Sequence, residues 1–262
     1  MKKSPVVIAE PATVAALKEI YAASAPGLLK WDFSTPGQVT ALDGCLNVSN
    51  GVLTGLNLFH CQLDDLSPLS GLVHLTELDL GCNEASDLSP LAGLTKLTSL
   101  DLNTRYKITC NEISDLSPLA GLTNLTLLNL NSNNKISDLS PLAGLVNLTE
   151  LWLNANWKIS DLSSLAGLTK LTALRLAANK ISDLSPLAGL VNLKELALSA
   201  NKISDLSPLA GLTNLTELAL SANKISDLSP LAGLTNLWML MIQDNKTNDF
   251  SPLSHLRELN IR

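Results

Sequence analysis

The chain has 262 residues, of which 46 % are hydrophobic and only 3 % aromatic, and a formal net charge of −6. That mild acidity, with no basic stripe, argues against nucleic acid as a partner. No run approaches the ~18 apolar residues of a membrane-spanning helix. Pro5, Glu10 and Pro11 interrupt the segment after the N-terminal lysines, so no secretory signal is read and the chain as given is expected in the cytoplasm.

Residues 1–51 are expected to form a helical cap. Residues 11–25 (PATVAALKEIYAASA) read as an amphipathic helix with Val14, Leu17, Ile20 and Tyr21 on one side, stopped by Pro26 and Gly27. Leu28, Leu29, Trp31 and Phe33 form an apolar cluster, residues 39–42 suit a first irregular strand, and Asn50–Gly51 signals a turn before Val52. A stack of repeats needs cover over its first open core face, which is the role this segment suits.

From residue 52 to residue 262 the chain is repetitive. NKISDLSPLAGLTNL at 201–215 recurs letter for letter at 223–237, an offset of 22, and with Val191 for Thr at 179–193. Strand leucines are placed at Leu53, Leu75, Leu97, Leu125, Leu148, Leu171, Leu193, Leu215, Leu237 and Leu256, about ten units. The turn aspartates from Asp65 to Asp249 are spaced 22, 28, 23, 23, 22, 22, 22 and 22, so six residues are inserted within 103–111 and single residues at 133–134 and 156–157. In the unit 193–214, Leu196, Ala197 and Leu198 alternate in, out and in, as a half-buried strand does. Asn201 can donate and accept, so it suits a buried ladder with Asn223 and Asn245. Ile203, Leu206, Leu209 and Leu212 point inward at spacings of three, the period of a short 3₁₀ turn. Ser207 is expected as its N-cap, Pro208 as its first residue and Gly211 as its stop. No unit can bury its leucines alone, so the units must stack.

The 22-residue unit and the motif ISDLSPLAGLTNL, at 113–125 and 203–215, resemble the bacterial internalin-type leucine-rich repeats. The resemblance implies an α/β architecture: a right-handed solenoid with a concave parallel β-sheet, short 3₁₀ turns on the convex side and an N-terminal helical cap. It also implies protein recognition on the concave face, and it makes secretion or surface display the alternative to the cytoplasm.

Binding residues are therefore sought among exposed strand positions and insertions. The central exposed column reads Asn57, Asp79, Asp101, Asn129, Trp152, Arg175, Ala197, Ala219, Met241 and Asn260. Asp79, Asp101 and Asn129 make its first part polar, Ala197 and Ala219 are bland, and Trp152 beside Arg175 is the strongest adjacent pair, because Trp and Arg are enriched in binding hot spots. A resting stack of Trp152 on Arg175 is an equal alternative. The insertion carries Arg105, Tyr106 and Lys107, and Trp157 lies on the same edge. Trp238, Met239 and Met241 form an apolar patch near the last unit, which favours a homodimer through the C-terminal edge.

Other chemistries find less support. The Asp row, with Lys135 to Lys246 running three residues before it, is read as turn caps and alternating charge; one carboxylate per turn cannot supply the six to eight oxygens of a calcium site. No cofactor motif is present, and His60, His74 and His255 form no recurring base–nucleophile pattern, so no enzyme is expected. Cys45, Cys61, Cys82 and Cys110 show no metal spacing and are read as thiols, Cys45 with Cys61 being the pair to test for a bridge. The rival to protein binding is a structural, carbohydrate-binding or ice-binding array using the row Thr54, Thr76, Thr98, Thr126, Thr149, Thr172 and Thr216, broken by Lys194 and Trp238. A consensus-like scaffold without a natural ligand is a third reading.

Overall fold

The computed structural model describes residues 6–8, 10–35, 37–41, 45–104, 111–256 and 260–261. Near the N-terminus, strands β1 (Val6–Ile8), β2 (Trp31–Asp32) and β3 (Val39–Ala41) form a small antiparallel sheet in the order β1-β3-β2. Helix α1 (Pro11–Ala23) lies between the first two strands. Pro11 supplies its first turn, and the Ser24 amide closes it on the Ile20 carbonyl, so the helix stops before Pro26. Val14, Leu17 and Ile20 are buried, and α1 packs on the first 3₁₀ turn, Ser67–Gly71. Tyr21 stays 40 % exposed; its ring stacks on Trp31 at 6.3 Å and meets Phe33 edge-on at 5.4 Å.

A second sheet of eleven strands runs through the rest of the described residues. It begins with the hairpin of β4 (Leu46–Ser49) and β5 (Val52–Asn57), turned at Asn50–Gly51, where both residues have positive φ. From β5 onward every pairing is parallel: β6 (Glu77–Asp79), β7 (Ser99–Asp101), β8 (Leu127–Asn129), β9 (Glu150–Trp152), β10 (Ala173–Arg175), β11 (Glu195–Ala197), β12 (Glu217–Ala219), β13 (Met239–Met241) and β14 (Asn260–Ile261). Each strand returns through a short 3₁₀ turn such as Ser207–Leu209. This is the leucine-rich-repeat solenoid, and its core is one continuous column of leucines. In the unit around β11, Leu196 is 2 % exposed and Leu198, Ile203, Leu209 and Leu212 are 0 % exposed. Truncating such a leucine to alanine removes about 2–5 kcal/mol.

Three ladders of side-chain hydrogen bonds tie the coils together. In the inner ladder Asn201 Nδ2 donates to the carbonyls of Leu176 (2.9 Å) and Leu198 (3.0 Å), while its Oδ1 accepts the Ile181 amide at 3.0 Å. Asn223 and Asn245 repeat the pattern with Ile203 and Ile225. The ladder starts at Asn83, whose Oδ1 takes the amides of Cys61 and Leu63. Cys61 itself occupies the asparagine position of the preceding coil, three residues after Leu58 as Asn83 is three after Leu80. An outer ladder runs through Asn124, Asn147, Asn192, Asn214 and Asn236, each donating Nδ2 to a carbonyl of the coil before. The third is the threonine row: Thr76, Thr98, Thr126, Thr149 and Thr172 each donate their hydroxyl to the carbonyl of the previous threonine, at 3.0–3.1 Å.

Three local expectations are corrected. Ser207 is not the N-cap but the first 3₁₀ residue. Leu206 holds the N-cap position without a side-chain bond, and Asp205 before it accepts the Ser207 amide at 2.8 Å and the Ser207 hydroxyl, an Asx turn that puts Pro208 second. Gly211 is not a left-handed stop, because Ala210 closes the turn in right-handed geometry. Left-handed backbone falls instead just before the inner-ladder asparagines, at Cys82, Ser132, Ala155, Ala178, Ala200, Ala222 and Asp244. Leu256 is out of step with the other leucines of its row: it follows the turn Ser251–Leu253 where Leu234 follows Ser229–Leu231, its amide on the Leu253 carbonyl as that of Leu234 is on Leu231, so it belongs to the turn. Asn260 accordingly pairs with Met239, not Met241, and leaves the central column.

Candidate functional site

Parallel pairing in register places the predicted column side by side on the solvent face of the sheet. Asn57, Asp79, Asp101, Asn129, Trp152, Arg175, Ala197, Ala219 and Met241 are partners in successive strand pairs. Its N-terminal part is committed to internal hydrogen bonds. Asp79 Oδ1 accepts the Gly81 amide, and Asp101 accepts the Asn103 amide at 2.9 Å and Asn129 Nδ2 at 2.9 Å. Asn129 was expected to be exposed but is 2 % exposed, because its amide donates to Asp101 and its oxygen accepts the Asn131 amide at 3.1 Å. From there Asn131 and Asn154 each accept a backbone amide of the next coil, at 2.7 and 2.8 Å.

The centre of the column is different. The Arg175 guanidinium lies 4.6 Å from the centre of the Trp152 ring and pairs with Glu195 at 3.3 Å. Both Trp152 and Arg175 are half-buried. Beyond Arg175 the two small residues Ala197 and Ala219 leave a hollow of about 160 Å³ over the strand backbone at Leu196 and Leu218, walled by Arg175, Glu195, Glu217 and Met241. Sequence reasoning passed over these alanines as bland. The available signal was their position, two consecutive small residues between Arg175 and Met241 in a column of larger ones.

Away from the column, Trp157 is 59 % exposed and stands on the turn edge, two residues before Ile159. Arg105, Tyr106, Lys107 and Cys110 lie outside the described residues. Within the last full units Trp238 is 44 % and Met241 37 % exposed, while Met239 is half-buried.

The turn aspartates serve the fold. Hydrogen bonds from the Ser207 side chain and then its amide hold the Asp205 carboxyl below the ordinary carboxylate range, and those from Ser67, amide first, do the same for Asp65. Asp115, Asp161, Asp227 and Asp249 are lowered by their own serines. Among the described residues none of the row lysines pairs with a turn aspartate; Lys135 bonds Glu112 at 2.8 Å instead, so the alternating-charge reading gives way to the capping one. Nor do the described residues group three His, Cys, Asp or Glu as a metal site would, and none of their helices is long and apolar enough to cross a membrane. The histidines sit on separate coils: His74 Nδ1 is 3.0 Å from Lys96 Nζ, and His255 Nε2 is 2.8 Å from the Ala232 carbonyl.

Coil, ladder and exposed column together define a leucine-rich-repeat protein with a sheet open to solvent. The family model for leucine-rich repeats in two copies matches residues 52–93, 107–144, 146–189 and 191–233. Among solved structures, an internalin (inlF) from Listeria monocytogenes str. 4b F2365 is 41 % identical, over 80 % of this chain and 60 % of that one, with a TM-score of 0.75. Internalin C2 (inlC2) from the same strain is 35 % identical over 80 % of this chain and 79 % of that one, with a TM-score of 0.57. The chain belongs to the internalin-type leucine-rich-repeat proteins. It spans 60 % of the length of the inlF protein. The ectodomain of the Arabidopsis receptor kinase HAESA, solved with a peptide hormone, shares the fold at 22 % identity, covering 95 % of this chain and 44 % of that one at a TM-score of 0.76. No curated protein matches the chain.

Proposed function

We propose that this chain is a non-enzymatic protein-interaction module that grips a protein partner on its concave sheet. The observation that carries the reading is where variety is confined. The turn motif DLSPLAGL recurs with almost no change through the regular units, whereas the outward residue of each strand passes from Asp101 through Trp152, Arg175 and Ala197 to Met241. A scaffold without a ligand needs no such gradient, and packing does not impose it, since these side chains point away from the core. Trp152 and Arg175 are the central anchors of this reading: they are already stacked, so little conformational freedom is lost when a partner covers them. Asp79 and Asp101 form a polar flank, with Asn129 holding Asp101 from behind. Trp157 extends the contact along the turn edge, and Arg105 and Tyr106 of the insertion are its further contact residues in this reading. Related folds support binding in general terms, the HAESA ectodomain having been solved with a peptide hormone.

The rival that relies on the threonine row loses its main donors, because those hydroxyls are spent on carbonyls of the previous coil. The experiment is affinity capture from extracts, with wild type beside Trp152→Ala/Arg175→Ala. The double variant loses the captured protein while its circular-dichroism spectrum stays that of the wild type. Undiminished capture overturns the concave-face reading.

A further inference from the structure

The hollow over Ala197 and Ala219 has a chemistry of its own. Its apolar part is made by the two alanine methyls and Met241, which closes one side, over the strand backbone at Leu196 and Leu218, whose side chains face the core. Its charged rim carries one cation and two carboxylates, Arg175, Glu195 and Glu217. Glu195 and Glu217 are register partners on adjacent strands, roughly 4.8 Å apart along the sheet. Like charges so placed repel. Arg175 relieves one of them: stacked on Trp152 at 4.6 Å, it reaches Glu195 at 3.3 Å. Among the described residues Glu217 has no ion pair. The rim thus presents one carboxylate without a counter-charge beside an apolar trough. At about 160 Å³ the trough is too small for a typical small-molecule site, which takes roughly 300–1,000 Å³, but suits one long side chain.

We propose that this hollow is a subsite for a lysine side chain of the protein partner, with the methylenes lying over Ala197, Ala219 and Met241 and the ammonium on Glu217. The proposal rests on the concave-face reading and sharpens it to a class of residue. Lysine fits both halves of the site: a flexible aliphatic stem that packs on apolar surface, and a compact charge at its end. Arginine fits less well, since its wide guanidinium would have to share the narrow rim with Arg175. A purely apolar side chain would leave Glu217 desolvated and unpaired, which is unfavourable.

The test uses the full chain, labelled with carbon-13 in its alanine and methionine methyl groups, and end-blocked Gly-Gly-Lys-Gly-Gly as probe. Matching peptides carry norleucine, arginine or glutamate in place of lysine. The lysine peptide is expected to shift the Ala197, Ala219 and Met241 methyl signals saturably, with an affinity that falls as salt rises. Norleucine is expected to bind at least about fivefold more weakly, and glutamate not to bind. Glu217→Gln, checked for an unchanged spectrum elsewhere, reduces lysine binding to the norleucine level, and Ala219→Leu, which fills the trough, reduces both. Absent saturable shifts, equal binding of lysine and norleucine, an unaffected Glu217→Gln variant, or tighter binding of the arginine peptide would each overturn the lysine subsite. The probe is a small peptide and the capture experiment uses Trp152 and Arg175, so loss of the subsite leaves the concave-face reading to its own test.

Discussion

Two asparagines of the inner ladder form a matched pair that isolates a single hydrogen bond. Asn179 and Asn201 open the same sequence, NKISDLSPLAGL. Each donates Nδ2 to three carbonyls: Asn179 to Leu153 (2.9 Å), Leu176 (2.9 Å) and Ala177 (3.3 Å), Asn201 to Leu176 (2.9 Å), Leu198 (3.0 Å) and Ser199 (3.3 Å). They differ at Oδ1. Asn201 Oδ1 accepts the Ile181 amide at 3.0 Å, whereas Asn179 Oδ1 is buried with no donor. The cause lies one coil earlier. The extra residue Trp157 turns the Ile159 amide back onto the Asn156 carbonyl at 2.9 Å, so that amide no longer reaches Asn179. The same event recurs where Asn134 is inserted: Ile136 binds the Asn133 carbonyl, and Asn156 Oδ1 is left without a donor. Asn201→Ala therefore strands one backbone amide more than Asn179→Ala. A buried donor left unsatisfied is worth about 1–3 kcal/mol, and the shared carbonyl losses cancel in the comparison. Asn201→Ala is expected to destabilise the protein by about 1 kcal/mol more than Asn179→Ala. Urea unfolding followed by circular dichroism measures this, provided the slopes stay equal, since repeat arrays can lose cooperativity. Deleting Trp157 in a double-mutant cycle should return the Ile159 amide to Asn179 and raise the effect of Asn179→Ala to that of Asn201→Ala. Equal losses in the two alanine variants, or no change on deleting Trp157, would refute the reasoning.

Ser164 stands where the other 3₁₀ turns carry proline, in Ser163–Leu165, and backbone geometry there matches its neighbours. Ser164→Pro should stabilise by about 0.4–1 kcal/mol in urea unfolding, by restricting the unfolded chain. The turn carboxylates of Asp65, Asp115, Asp161, Asp205, Asp227 and Asp249 have lowered folded values. Their contribution is thus present above the ordinary carboxylate range and is lost as pH falls through the depressed folded values, so the melting temperature should hold near neutrality and drop below about pH 4. Ser207→Ala should raise the Asp205 value in an NMR titration. Self-association through the exposed Trp238 and Met241 predicts a solution mass above 27.8 kDa that Trp238→Glu returns to the monomer, as sedimentation would measure.

Most of the coil was readable from the sequence because its physics is periodic. Leucines at fixed spacing have one way to be buried together, and Leu196, Leu209 and Leu212 sit where their spacing put them. Asn201 was legible for the same reason, a polar residue recurring inside an apolar frame. Two caps were legible for each turn, the Asp row and Ser207, and spacing alone left open which of these chemically competent neighbours wins. Asp205 and Ser207 both cap turns, and a carboxylate two residues ahead can take both the serine amide and its hydroxyl, which a serine cap cannot match. Leu256 escaped although the period of 22 is unbroken from Leu234 to Leu256, because a leucine in the turn and a leucine at the start of a strand look alike in the sequence. At the site, the column's membership followed from register, but Asn129 vanished under its own hydrogen bonds, and the hollow is made by what Ala197 and Ala219 lack. Absence of side-chain volume leaves a weak mark in a sequence.

The saturation of the ladders decides where recognition can occur. Inner asparagines, outer asparagines, threonine hydroxyls and turn serines all donate within the protein, along the length of the stack. The amides and hydroxyls of these ladders are therefore already engaged, and a partner meeting them finds hydrogen bonds it must break before it can make its own. Three features of the sheet from β9 to β13 are open to a partner: a ring backed by a guanidinium, a carboxylate with no counter-charge among the described residues, and apolar surface without a cover. The N-terminal half of the same column, with Asp101 and Asn129 bonded to each other, lends stiffness more than adhesion. Substitutions at Asp101 should then disturb stability before binding, and those at Glu217 binding before stability. Opposite rankings would mean that the polar half, rather than the hollow, is where a partner is held.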